Sequence, residues 1–369
     1  MTLDKKYLYF ARSITSRLMS LDVFRGITIS LMILVNSPGN DTPYHSLAHS
    51  LWNGCTLADL VFPFFVVIVG ISSVLALSNL SAQGVSTPQL LKKIIRRSVC
   101  IFITGLLLNA FSRHVDLSTF RVMGVLQRIA ICYFFSATLY ITTRIRTQAL
   151  IVVVLISGYG FLMTCITPFE QVNLAFYLDT LILSPTHLYY PTFDPEGLFT
   201  TIPAVASVLL GNLIGCCILR SQTKKQLFQG MMAAGSMFAL LGWIWRFILP
   251  LNKALWSSSY VLWTAGLALL VFAVVYALIE IKQWVTWSKP FELLGRHAML
   301  VYVLHVVCLK IQAMIPMQTT DGVVVNFRLY ITDLLFNHLT PENAALSYSI
   351  CYIALWLLVI LGLEKWRTL

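Results

Sequence analysis

Apolar blocks of roughly twenty residues recur along this chain, and that recurrence constrains its fold more than any other feature. Twenty residues of α-helix rise about 30 Å, the thickness of a bilayer's hydrocarbon core. Within that core every backbone N–H and C=O must be bonded inside the chain, so blocks of this length span as helices. A mean hydropathy of +0.79 and a charged share of 11% agree, because a soluble domain carries about 25% charged residues. The sequence predicts an all-α polytopic membrane protein, one domain over residues 1–369.

Ten spans are expected, at roughly 21–37, 57–78, 94–112, 122–142, 149–168, 198–219, 228–250, 258–281, 291–314 and 343–363. The stretch 327–339 is amphipathic and reads as an interfacial helix or a short eleventh element. The first apolar block, opening near Leu21, is too long for the core of a cleavable signal peptide and keeps polar residues, so it reads as the first span.

A net charge of +11 would point to nucleic acid in a soluble protein. Here there is no soluble basic domain to bind it, and the positive residues follow another rule. If the first span starts in the cytoplasm, all but seven of the 26 Lys and Arg fall on the cytoplasmic side, the exceptions being Arg113, Arg121, Arg128, Arg246, Lys253, Lys310 and Arg328. Cytoplasmic loops concentrate such charge, where it meets anionic lipid headgroups. Both termini come out cytoplasmic, with residues 1–20 as an N-terminal tail. Two external connections then lack Lys and Arg. The first, 37–56, carries Asp41, His45 and His49; the second, 169–197, carries Glu170, Asp179, Asp194 and Glu196. An acidic, histidine-bearing outer face suits an amine-containing substrate. The eight cysteines show no metal or redox spacing, so neither a disulfide framework nor a metal site is expected.

Polar residues are densest in the first 80 positions. Asp22 and Arg25 lie three apart on one helical face; they either anchor a helix end, or Arg25 offers its fork to a cofactor phosphate. Asn36 follows Arg25 by eleven residues, about 16 Å along a helix, which places it at the outer end of the first span as a cap or a catalytic donor. Next comes HSLWNGCTLADLVFPFF, beginning at His49. An imidazole titrates near neutral pH and can take a proton from an attacking amine or hydroxyl. Trp52 either stacks on a sugar face or belongs to the membrane interface, and Asn53 beside it is a candidate substrate contact. Asp59 either caps the following helix or orients His49. Further on, Gln127 and Arg128 fall inside the fourth span and His305 inside the ninth. Ionisable groups there are costly and are functional candidates by default, and Arg128 either binds phosphate or pairs with an intramembrane acid. Asp194 and Glu196 open DPEGLFTTIPAV as candidate acceptor contacts.

The ordered blocks SLDVFRG, MILVNSPG, HSLWNGCTLADLVFPFF, GVLQR, DPEGLFTTIPAV, PLNKALWSSSYV and LVYVLH resemble the heparan-α-glucosaminide N-acetyltransferase family over roughly residues 17–310. The resemblance implies a transmembrane acyltransferase that moves acetyl from cytoplasmic acetyl-CoA to the amine of a glucosamine-type sugar or oligosaccharide outside. It implies His49 as the active-site histidine and Asn36 as its companion; Arg25, Gln127, Arg128 and His305, picked out above as polar groups in the spans, are then the candidate CoA contacts. It also implies a homodimer, and a bacterial-type member in an inner membrane. His297 departs from the Asn more usual in the family. The nearest alternative is an O-acyltransferase of the acyltransferase-3 type, whose histidine lies near the end of the first span. Here Asn36 holds that place and the histidine comes thirteen residues later. A secondary transporter for a sugar or amino sugar is a third reading, although the paired halves common in that class are not evident.

Overall fold

The computed structural model describes residues 18–111, 116–165, 174–319 and 322–367. Arg113, Glu170 and the tail cations Lys5, Lys6, Arg12 and Arg17 lie outside them. The described chain is a helical bundle, with helices α1 (Met19–Asn36), α2 (Leu57–Ala82), α3 (Thr87–Ala110), α4 (Val125–Thr142), α5 (Ile145–Cys165), α6 (Leu174–Leu183), α7 (Thr201–Arg220), α8 (Lys224–Trp245), α9 (Ser258–Tyr276), α10 (Lys289–Arg296), α11 (Ala298–Met314), α12 (Phe327–Phe336) and α13 (Pro341–Arg367). Strands β1 (Pro316–Gln318) and β2 (Val324–Asn326) form a small antiparallel hairpin before α12.

Eight of these helices are long and apolar enough to cross a membrane singly, and α10 with α11 makes a ninth if the bent pair is one span. The chain is an all-α polytopic membrane protein. The remaining expected span, 94–112, corresponds to α3, which is long enough at 24 residues but carries Lys92, Lys93, Arg96 and Arg97 in its first half. The expected ninth span is broken: its two parts meet at His297 at 72°. The break follows a close helix crossing. A side chain on Gly26 would strike the Phe291 carbonyl oxygen at 1.7 Å, and one on Gly295 the Asp22 carbonyl oxygen at 1.8 Å, so α10 lies against the α1 backbone where only glycine fits. The connection 169–197, expected as a loop, contains α6, whose Ala175 and Phe176 pack against Tyr159, Met163, Leu249 and Leu255. The stretch expected at 327–339 is helix α12.

The main core gathers α1, α2, α7 and α9 around Phe24, Phe64, Leu209, Trp256, Tyr260 and Phe272, all buried. A second cluster packs α1 against α10, α11 and α13. Where α1 ends at Asn36, the loops 37–56, 116–124, 188–200 and 246–257 converge and bond to one another, Arg121 to Asp194 and His49 to Lys253 among them. At the opposite end Lys224 donates to the Glu280 carbonyl, Ser20 N–H to the Glu280 carboxylate, and His297 faces Glu364 at 3.1 Å.

Candidate active site

Helix α2 starts with a capping box. Thr56 precedes the first turn, and Asp59 at its third position accepts the Thr56 backbone N–H at 3.1 Å. The same oxygen, Oδ2, accepts from Ser50 N–H and the Thr56 hydroxyl, each at 3.1 Å. The two backbone donors on Oδ2 fix the carboxylate and turn Oδ1 toward Nδ1 of His49 at 2.8 Å. An ionised carboxylate only accepts, so Nδ1 carries the proton and Nε2 of the neutral ring is left as the basic atom. Asp59 thus both caps its helix and orients His49. Its side chain is 1% exposed and that of His49 is 47% exposed, which gives a sealed orienting group behind an accessible base.

Lys253 comes to this pair from the α8–α9 connection. Its Nζ lies 3.1 Å from Nδ1 and 3.4 Å from Nε2 of His49, and 3.6 Å from Asp59 Oδ1. Two contacts hold its loop in place: Gly54 N–H donates to the Leu251 carbonyl at 2.8 Å, and Asn252 donates to Asn53 at 3.2 Å. Asn252 is fully buried and also accepts from Leu255 N–H. Gly54 has φ +130°, in the region that favours glycine. Burial pulls the Lys253 ammonium below the usual lysine range, against the opposite pull of Asp59 and Glu196.

Asn36, His49, Glu196 and Lys253 all line one cavity of about 200 Å³. Its other walls are mostly apolar, from α1 (Thr28, Ile29, Met32, Val35), α2, α4 and α11. From Thr28 to Asn36 is about 12 Å along α1, so the cavity runs down the bundle with its charged groups at the Asn36 end. Tyr302 of α11 lines it as well.

The remaining candidates sit elsewhere. Asp194 is fully buried and pairs with Arg121 in a two-pronged contact, Nε to Oδ2 at 2.8 Å and Nη2 to Oδ1 at 2.6 Å. It offers no face to the cavity. Glu196 does line the cavity, and it accepts the same Arg121 Nη2 at 2.6 Å. Arg128 has no exposed surface. It donates to the Gly197 carbonyl at 3.3 Å and to the Thr200 hydroxyl, and lies 5.1 Å over the Trp256 ring, bracing the start of α7 away from the cavity lining. Gln127 is buried against Gly105 and Gly124. His305 is buried, with Nδ1 facing the Val301 carbonyl at 3.2 Å, one turn from Tyr302. Arg25 bonds Asp22 at 2.9 Å, the Gly295 carbonyl at 3.2 Å and Ser72 at 2.7 Å, which ties α1 to α10 and α2. Trp52 is half-buried, edge-on to Phe176 and Phe193 at 5.8 Å each, so it fastens the first loop to α6 by packing. Cys55 has its thiol pushed up to about 12, chiefly by burial and then by Asp59, which leaves almost no thiolate at neutral pH to act as a nucleophile. The sequence reading missed Lys253 and Arg121 as partners of the site.

Residues 17–251 match the family model described as heparan-alpha-glucosaminide N-acetyltransferase, catalytic. The heparan-alpha-glucosaminide N-acetyltransferase of Homo sapiens is 31% identical in an alignment covering 78% of this chain and 52% of that protein. That of Mus musculus is 29% identical, covering 80% of this chain and 54% of the relative. The chain spans about half the length of these relatives. With His49, Asn36 and Asp59 inside a match that extends over most of the sequence, the chain belongs to the heparan-alpha-glucosaminide N-acetyltransferase catalytic family.

Proposed function

We propose that this protein is a transmembrane N-acetyltransferase, taking acetyl from acetyl-CoA on the cytoplasmic side and placing it on the amine of a glucosamine-type sugar outside. The observation that carries the reading is the shared cavity. An oriented histidine and an amide-bearing Asn36 meet at one end of an apolar passage that continues about 12 Å down α1. Such a passage suits a pantetheine arm, which is slender and largely apolar, while the anionic nucleotide stays in water at the far end. The distribution of Lys and Arg supports assigning the Asn36 end to the outside, and a bacterial inner membrane is the setting proposed.

In this reading the amine nitrogen attacks the thioester carbon while Nε2 of His49 takes the amine proton. Asp59 steadies the imidazolium as it forms, through the 2.8 Å contact to Nδ1. Asn36 donates a hydrogen bond to the thioester oxygen as charge develops on it, a contribution of about 10²–10³-fold in comparable sites. The C–S bond then breaks, and the proton held by His49 passes to the departing sulfur. Acetylated amine and free CoA thiol are the products. Glu196, neutralised in part by Arg121, gives the cavity mouth a carboxylate suited to a cationic amine or a sugar hydroxyl.

The test uses purified protein in detergent with acetyl-CoA and glucosamine, read as thiol release. His49→Ala abolishes release and His45→Ala retains it. Uptake of sugar into vesicles without CoA consumption would overturn the reading. Incubation with labelled acetyl-CoA and no acceptor shows no acetylated protein if transfer is direct.

A further inference from the structure

The Lys253 ammonium contacts both ring nitrogens of His49, at 3.1 and 3.4 Å. Nδ1 already donates to Asp59, so it has no lone pair left to accept from the ammonium, although Nδ1 is the nearer nitrogen. The contact is therefore that of a cation held beside the ring. A carboxylate alone behind an imidazole favours the charged imidazolium, and a nearby cation opposes it. The charged groups in contact with His49 are Asp59 from the start of α2 and Lys253 from the α8–α9 loop, while Glu196, paired with Arg121 and coming from the segment before α7, lines the same cavity. Cys55, two residues past Asn53 on the loop of His49 itself, stays a neutral thiol.

We propose that Lys253 is a positioning residue for the transfer: its ammonium, held against the His49 ring, offsets the pull of Asp59 on that ring and so favours its role as a base at the cavity mouth. The effect rests on the reading of His49 as the base. Without that cation the Asp59 carboxylate favours the imidazolium, which accepts nothing from an amine. With Lys253 in place, Asp59 can fix the ring's orientation without also fixing its charge. The loop contacts fit this role, because Asn53 and Gly54 join the His49 loop directly to residues 251–253. Base and cation are thereby kept at a set separation.

The test measures the His49 titration itself, so it stands whether or not the acceptor has been found. Full-length protein labelled at its histidines is titrated in detergent by NMR, with the His49 signal identified by its loss in His49→Asn. In Lys253→Met and Lys253→Gln the midpoint moves up by about half a pH unit or more, as expected when a cation is removed from beside an imidazole. Lys253→Arg keeps the midpoint near its original position. In activity assays the acid limb of the pH–rate profile moves up by the same amount in the neutral variants, and activity returns at higher pH. A merely structural Lys253 would lower activity equally at every pH and leave the midpoint in place. An unmoved or lowered midpoint in both neutral variants overturns the proposal. A raised midpoint in a protein with no acetyl-CoA-dependent activity leaves the electrostatic role standing and overturns the transferase reading instead.

Discussion

Two charged clusters stand side by side at the Asn36 end of the bundle, built from similar residues and put to different ends. In one, Asp59 spends its oxygens on a helix cap and a histidine, and that histidine keeps 47% of its side chain open. In the other, Asp194 is sealed by Arg121, by the backbone N–H of Tyr189 at 3.0 Å and by that of Glu196 at 2.9 Å, with Arg121 also 4.6 Å over the Tyr189 ring. Every polar group of Asp194 is used up in fastening residues 116–124 to 188–197. A charged residue in a conspicuous motif is thus either a reagent or a rivet. What separates the two is whether a basic or nucleophilic atom is left over facing a cavity.

The largest expected effect breaks the two apart by measurement. His49→Ala should lower transfer by about 10²–10⁴-fold, the usual worth of a general base, while thermal stability changes less, because Asp59 keeps the Ser50 and Thr56 N–H donors and Lys253. Arg121→Met should do the reverse. Leaving Asp194 buried without its cation costs about 3–5 kcal/mol, seen as a large drop in melting temperature and in folded yield. If Arg121→Met folds normally and loses only activity, the second cluster is part of the chemistry and the contrast fails.

How much of this could be read from sequence follows the same division. Spans were legible because length and apolarity are properties of a segment by itself. The start of α3 was placed at 94 although it begins at Thr87, since Lys92, Lys93, Arg96 and Arg97 cut the apolar run. The signal that was present is the capping box of Ser86 and Gln89, with Pro88 in the first turn. His49, Asn36 and Asp59 stood out because they lie within one short stretch. Lys253 did not, being a lone lysine 204 positions from His49, and no local spacing can announce a contact made by folding. Arg121 was passed over as one of the leftover external cations, though an outer face with several carboxylates called for a counter-ion there. Trp52, Arg128 and Asp194 carried the same signal as the residues that line the cavity. Only their surroundings show that their polar or aromatic surface is already occupied.

A smaller effect tests the joint between the first loop and the lysine loop. Gly54→Ala forces a side chain into backbone at φ +130°, a strain of about 1–2 kcal/mol. The space around it is open, the nearest atom being Ser50 Cβ at 3.6 Å, so backbone conformation alone is at stake. Because Gly54 N–H holds the Leu251 carbonyl, the variant should lose stability modestly and activity more than stability, as Lys253 drifts from His49. Equal losses of both would make the joint a plain folding element.

The smallest effect sharpens the contrast through pH. Asp179 of α6 is fully buried, and its Oδ1 accepts Phe199 N–H at 2.8 Å. Burial pushes its carboxyl from the ordinary 3.8 up to about 6, against the pull of that hydrogen bond and of Arg128. The folded chain therefore holds this proton more tightly than the unfolded chain does. The stabilisation is fully present below about pH 4 and is lost as pH rises through about 6. Asp179→Asn keeps an acceptor for Phe199 N–H and removes the titration. Melting temperatures of the two proteins, followed from pH 4 to pH 7.5 in detergent, should converge at the acid end, with the wild-type protein falling below the variant above pH 6. Parallel curves would show that Asp179 stays ionised in the fold. The packing side of the molecule then answers to pH through stability over that window, whereas the His49 cluster answers through rate, and a shared profile for both would mean that one titrating group governs the two clusters together.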